Sequence, residues 1–187
     1  EIAQCLVGSE MCIRDRDTVR AFFSAREEGF DNINMDLIAG LPSDTAESYH
    51  QTLDRIIDLN PESITVHTLT IKRSAKIYED DIEKYLTAPA SEMVNESIRT
   101  LPENGYLPYY LYRQKNTVEN LENIGFAKKE RESLYNIFIM DETQTILGAG
   151  CAASTKIVQP NGKITRIHNY KFPYEYINRF DDLMRKK

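Results

Sequence analysis

The sequence predicts an α/β fold, with a parallel βαβ unit between flanking helices followed by an α+β segment that carries antiparallel hairpins. Two observations predict it. Two short strand patterns flank one amphipathic helix pattern within about forty residues, the span of a βαβ unit. After Gly105 the pattern changes to short aromatic and turn-bounded segments.

Taken in order, Asp17 to Gly29 reads as a helix with Val19, Phe22 and Phe23 on one face and Gly29 as a left-handed cap. Phe30 to Ile38 reads as a strand, because Ile33, Met35 and Leu37 alternate with Asn34 and Asp36. Gly40-Leu41-Pro42 breaks it. Ser43 or Asp44 then caps a helix with Tyr49, Leu53, Ile56 and Ile57 as its buried stripe, which Asn60-Pro61 stops. Ser63 to Thr70 is the second strand. Ser91 to Asn104 is a helix carrying Met93, Val94, Ile98 and Leu101. Such an order is a piece of a larger α/β sheet or barrel, with the strand at 31–38 left as an unpaired edge.

Beyond Gly105, Leu107 to Tyr112 reads as an aromatic strand and Thr117 to Gly125 as a short capped helix. Leu134 to Met140 and Thr143 to Leu147 read as a hairpin around Asp141-Glu142. A second hairpin turns at Pro160-Asn161-Gly162. Pro173 opens a last helix with Tyr176, Ile177, Phe180, Leu183 and Met184 on one side.

The start of the chain stands apart. Cys5 to Arg16 resembles one translated reading frame of a transposase-type sequencing adapter, without a gap from Leu6. Residues 1–16 are therefore read as a non-native, adapter-derived segment outside the fold. Cys151 is then the one natural cysteine, and the natural product is expected to extend further toward its N-terminus.

Composition narrows the function classes. The 187 residues carry a net charge of −6, with 41% hydrophobic and 28% charged residues. That suits a globular cytoplasmic protein, gives no basic face for general nucleic-acid binding, and offers no apolar run of about 18 residues for a membrane span. Three scattered cysteines are not a disulfide framework. No Walker loop, serine elbow, paired-carboxylate motif or metal-ligand spacing is present, and no catalytic side chain is assigned.

Asp36 is the sharpest local signal. It lies near the end of the first strand, where ligands bind in parallel α/β folds, with Gly40 following where backbone can approach a ligand. Two readings stand: an acceptor for ribose hydroxyls, or a structural Asp bonded to nearby amides. If Ile64 and Val66 pack on helices, His67 points toward the side of Asp36; the alternative is a core histidine. Tyr109, Tyr110, Tyr112, Arg113, Gln114 and Lys115 suit a flat polycarboxylate ligand, or else form an aromatic edge strand with solvated charges. Lys72 and Arg73 are a weaker signal of the same kind. Gly148 to Ser154 is rich in small residues, and Cys151 within it reads as a small buried residue rather than a nucleophile.

These segments resemble a known family. Gly29-Phe30-Asp31-Asn32-Ile33-Asn34-Met35-Asp36-Leu37-Ile38-Ala39-Gly40-Leu41-Pro42 is similar to a stretch of the oxygen-independent coproporphyrinogen III oxidases, which are radical S-adenosylmethionine enzymes. Leu59 to Leu69 and Leu147 to Ser154 resemble two further stretches in order and spacing, and Tyr109 to Asn116 is closest to the Z-type branch. The resemblance covers essentially all of residues 17–187.

It implies the C-terminal part of a partial (β/α)6 barrel over residues 17–105 and an α+β extension over 106–187. It implies S-adenosylmethionine and a [4Fe–4S] cluster as cofactors, although the three cluster cysteines have no match here. In the family a 5′-deoxyadenosyl radical takes hydrogen from a propionate, and loss of carbon dioxide and one electron then leaves a vinyl group. Asp36, Ile38, Gly40, His67 and Thr70 are then the expected cofactor-binding residues. Tyr112, Arg113 and Lys115 are the expected contacts to a porphyrinogen substrate, with an electron donor left unnamed. The chain alone is expected to be inactive. A haem-binding chaperone of the same superfamily, or a radical enzyme with another substrate, remains the alternative.

Overall fold

The computed structural model describes residues 10–41, 44–70, 89–113 and 117–186. Two compact units divide the chain, Glu1–Glu132 and Ser133–Lys187.

In the first unit, α1 (Glu10–Glu27), β1 (Asn34–Ala39), α2 (Ala46–Leu59), β2 (Ser63–Thr68), α3 (Ala90–Glu103), β3 (Leu107–Tyr112) and β4 (Asn123–Ala127) follow in order. α1 reaches back to Glu10, into the segment expected to carry no helix. Once its C-terminal turns have formed, each preceding residue adds one hydrogen bond for one residue fixed. Gly29, at φ +91°, closes it as expected. Phe22 is buried, while Val19 and Phe23 stay exposed.

Strands β1 and β2 are parallel, with Asp36 opposite Thr65 and Ile38 opposite His67. The four-stranded sheet runs β1-β2-β4-β3, and β4 pairs antiparallel with both neighbours. β1 is therefore an edge, and the described strands form an open mixed sheet without closing a barrel. One face of this sheet builds the core. Met35, Leu37, Ala39, Ile64, Val66, Ile124 and Phe126 are buried together with Tyr49, Leu53 and Ile56 of α2 and Met93, Val94 and Leu101 of α3. Two hydroxyls lock this layer: the Tyr49 phenol and the Ser97 hydroxyl are 2.8 Å apart, and the Tyr106 phenol donates to the Pro61 carbonyl at 2.9 Å. Burial is the main reason both phenols have pKa values pushed up to about 12.

Thr45, rather than Ser43 or Asp44, caps α2. Its hydroxyl accepts from the Ser48 N–H and the Ser48 hydroxyl accepts from the Thr45 N–H, a reciprocal capping box. Asn60 ends the helix in the left-handed region at φ 59°. Ile98 of α3 is exposed, in contrast to the expected stripe.

The expected helix over Thr117 to Gly125 is corrected. A 3-10 turn spans Val118–Asn120, and Asn123–Ala127 is β4. β4 fills the gap between β2 and β3, so all five of its residues are buried. A central strand covered on both faces shows little alternation for a sequence reading to find.

The second unit contains α4 (Leu134–Asp141), β5 (Ser154–Val158), β6 (Ile164–His168), α5 (Pro173–Asn178) and α6 (Phe180–Met184). The expected strand at Leu134 to Met140 is instead α4. Ser133 caps it by accepting from the Asn136 N–H, and the Lys156 ammonium donates to the Phe138 and Ile139 carbonyls at 3.2 and 3.1 Å. Capping and a cation beneath the last carbonyls outweigh the β preference of Tyr, Ile and Phe. β5 and β6 form the expected hairpin. The last helix is broken at Arg179, and only Leu183 of its expected stripe is buried. Cys151 is exposed, which corrects the buried reading. Lys72 and Arg73 lie outside the described residues.

Candidate functional site

Opposite the apolar layer, the first unit's sheet presents a polar face. Strand alternation puts Asn34, Asp36 and Ile38 of β1 there, and the parallel register sets them beside Ser63, Thr65 and His67 of β2. The burial pattern of β1 alternates strictly, with Met35, Leu37 and Ala39 inward and Asn34, Asp36 and Ile38 outward.

A hydrogen-bond chain ties the polar residues together. The Ser63 and Thr65 hydroxyls donate to Asn34 Oδ1 at 3.0 and 3.1 Å, and Asn34 Nδ2 donates to Asp36 Oδ1 at 2.7 Å. His67 Nε2 lies 3.7 Å from the same oxygen, beyond hydrogen-bond range and an ion pair only when the ring is protonated. His67 is also the largest influence holding the Asp36 carboxyl below its usual range, against an opposing effect of partial burial; Asn34 and Thr65 lower it further. Asp36 therefore stays ionised well into acid. Its side chain is 60% exposed. A carboxylate offers about four lone-pair sites, so acceptor capacity remains for a ligand.

The geometry brings Asp36, His67 and Ile38 onto one face. Gly40 sits at φ +84°, its N–H donating to Met93 Sδ at 3.3 Å, and a Cβ there would lie 3.0 Å from Ala90 Cβ. Close packing against α3 therefore accounts for this glycine. Thr70 is half-buried and bridges to Thr117. Tyr112 follows Tyr110 by two along β3 and so shares its face. Arg113 is exposed and paired with Glu122 at 2.9 Å. Gln114 and Lys115 lie outside the described residues.

Sequence reasoning passed over Asn34, although its parity with Asp36 was available. It also left Tyr110 undistinguished among its aromatic and polar neighbours Tyr109, Tyr112, Arg113, Gln114 and Lys115. Tyr110 stands opposite Gly125, which stands opposite Thr65. That row crosses three strands and was invisible while 117–125 was read as a helix.

A concavity of about 510 Å³ lies between α2 and α3, lined by Glu47, His50, Glu92, Glu96 and Arg99 among others. His50 is already engaged by Glu96 at 2.6 Å and Asp54 at 3.5 Å. This groove is on the helix layer, away from the polar face. Among the described residues no group of three or more His, Cys, Asp or Glu side chains is placed to hold a metal ion, and no helix is long and apolar enough to cross a membrane.

No family model matches the chain. Curated relatives do. The oxygen-independent coproporphyrinogen-III oxidase-like protein HemZ of Bacillus subtilis is 43% identical over 88% of this chain and 34% of its own length. The heme chaperone HemW of Buchnera aphidicola (subsp. Acyrthosiphon pisum) is 27% identical over 84% of this chain and 38% of its own length. The chain thus spans little more than a third of these relatives. Among solved structures, coproporphyrinogen III oxidase (HemN) from Escherichia coli, a radical SAM enzyme, superposes with a TM-score of 0.62. It covers 90% of this chain and 38% of its own, at 24% identity, and so bears on the fold. With the open α/β sheet and the Asp36 strand in place, the likeness to HemZ assigns the chain to the oxygen-independent coproporphyrinogen III oxidase family.

Proposed function

We propose that this chain supplies the Asp36 strand of an S-adenosylmethionine site in a cytoplasmic protein of haem metabolism. The full protein would convert coproporphyrinogen III to protoporphyrinogen IX, two propionates each losing a hydrogen atom, carbon dioxide and one electron to become vinyl groups. The observation that carries this reading is the Asp36 carboxylate, held ionised by its neighbours and exposed on the polar face with acceptor capacity unspent. The hydroxyls of a ribose are donors of the kind such a carboxylate accepts. Ile38 and His67 flank it on the same face, and Gly40 and Thr70 follow the two strands that carry them. Tyr112, on the face of Tyr110, and Arg113, paired with Glu122, are the proposed substrate contacts, with Lys115 beyond the described residues.

The iron–sulfur cluster is a different matter. The described residues bring together no set of ligands for it, and the side chain of Cys151 stands exposed and alone. The cluster therefore finds no fit among the described residues. The 187-residue chain by itself is proposed to be inactive, so reconstitution with iron and sulfide should give no cluster signal by electron paramagnetic resonance. A robust signal would overturn that part.

The likeness to HemW supports a second reading, haem binding without oxidation of coproporphyrinogen. One experiment separates them. The full-length gene product is titrated with haem and then assayed anaerobically for coproporphyrinogen III turnover with S-adenosylmethionine. Turnover is the expected result. A Soret shift from tight haem binding, with no turnover, would replace the oxidase by a chaperone.

A further inference from the structure

The row across the polar face contains a device that the reading of Asp36 leaves unused. β3 shifts register against β4 between Pro108 and Tyr110. Bulges of this kind re-aim a side chain and are common beside active sites. Here the shift sets Tyr110 opposite Gly125. A Cβ at position 125 would lie 1.8 Å from Tyr110 Cε1, so the ring occupies the space where any other residue would carry its side chain. The glycine and the bulge together lay the ring across β4 toward β2.

What lies beyond the ring is the ligand side. Gly125 is opposite Thr65, and Thr65 is opposite Asp36. Burial is the main reason the Tyr110 phenol has a raised pKa. The Thr65 hydroxyl bonds to the phenol and opposes that rise, while Tyr109 and the Asp36 charge add to it. At neutral pH the phenol keeps its proton; because the Thr65 hydroxyl gives its own to Asn34 Oδ1, the phenol donates to Thr65 and its oxygen is left as an acceptor. Its edge-on contact with Tyr109, centroids 4.9 Å apart, fixes the ring further.

We infer that Tyr110 is a ligand-contacting residue that sets specificity on this face, its ring walling the space beside Asp36 and its phenol oxygen accepting one hydrogen bond from a nucleoside held there. The inference rests on the proposed nucleoside site at Asp36. It predicts selection for ligands that pair vicinal hydroxyls with a flat base, since a carboxylate and an aromatic wall stand on the same row.

The test is binding of S-adenosyl-L-homocysteine, an unreactive nucleoside, to the 187-residue chain by isothermal titration calorimetry, with a tyrosine ultraviolet difference spectrum recorded at saturation. Asp36→Asn should abolish measurable binding. Tyr110→Phe should weaken it about fivefold, the worth of one neutral hydrogen bond, and should erase the difference spectrum. Tyr110→Leu, which removes the wall, should weaken it on the order of tenfold or more. Gly125→Ala, which displaces the ring, should follow Tyr110→Leu if it folds; the position-110 variants carry the test if it does not. A purely structural tyrosine would leave the Tyr110→Phe affinity and spectrum unchanged, and that result overturns the inference while leaving the site at Asp36 standing. Absence of binding by the unaltered chain overturns both.

Discussion

The two units of this chain solve the burial problem differently. In the first, a sheet face and two helices enclose Leu53, Ile64, Val66, Met93 and Leu101, each fully buried. In the second, Leu134, Tyr135, Leu147, Tyr174 and Ile177 are exposed, and the buried set is small: Leu183 together with the polar Thr155, Lys156 and Asn169. Its order rests on hydrogen bonds in place of an apolar layer. Lys156 holds α4 by two carbonyls, and the Asn169 amide donates to the Gly148 and Gly150 carbonyls at 3.2 and 2.6 Å. Packing of apolar surface is the stronger term, so the first unit should unfold as a cooperative block and the second should open first.

The largest test of that contrast is a pair of truncations. Leu53→Ala empties a fully buried site and should cost about 2–5 kcal/mol in urea unfolding. Leu134→Ala, at 66% exposure, should stay within about 0.5 kcal/mol. Equal effects would mean that α4 is covered as well as α2 is.

Next comes the charged anchor of the first unit. Glu62 accepts from Arg26 at 2.7 Å and from the Ile33 N–H at 2.9 Å, and its side chain is 13% exposed. Burial alone would raise its pKa; Arg26, the Ile33 amide and Lys128 together outweigh that and lower it. A carboxyl depressed in the folded state contributes stability that is complete above its unfolded pKa and is lost as pH falls through the folded value. Glu62→Gln should therefore cost about 2 kcal/mol at neutral pH and shrink the loss of stability between neutral pH and pH ~3. Urea melts at both pH values check it.

Smaller still is the matching change in the second unit. Lys156→Met removes the ammonium beneath α4 and should cost about 1 kcal/mol locally. Hydrogen exchange at 134–141 should quicken while the amides of β2 and β4 hold. A simultaneous loss of protection in β2 would show the units to be coupled.

Last, Asp36→Asn should leave stability within about 0.5 kcal/mol, because the group is exposed and screened, even as it removes nucleoside binding. A large stability loss would recast Asp36 as a structural residue of the polar face.

The same contrast explains what could be read in advance. In the first unit the βαβ segment was legible down to the parity of Asp36, because burial on one face imposes a period of two on β1 and a period of 3.6 on α2. The resemblance reached further, to family and fold. Where apolar residues are not buried on one face, as over Leu134 to Leu147, alternation carried no information and a helix was read as a hairpin. Where a strand is buried on both faces, as in β4, alternation was absent and a strand was read as a helix.

The sequence by itself determined which residues face inward on β1 and α2, where the chain turns at Gly29 and Asn60, and which carboxylate stands on the outward face of β1. Those are local properties, written in side-chain period and backbone freedom. Only the tertiary structure decided that β4 enters between β2 and β3, that Lys156 holds a helix at 134–141, and that Tyr110 crosses Gly125 toward Thr65 and Asp36. Each of these joins residues distant along the chain, and its free energy depends on a partner that no local window contains.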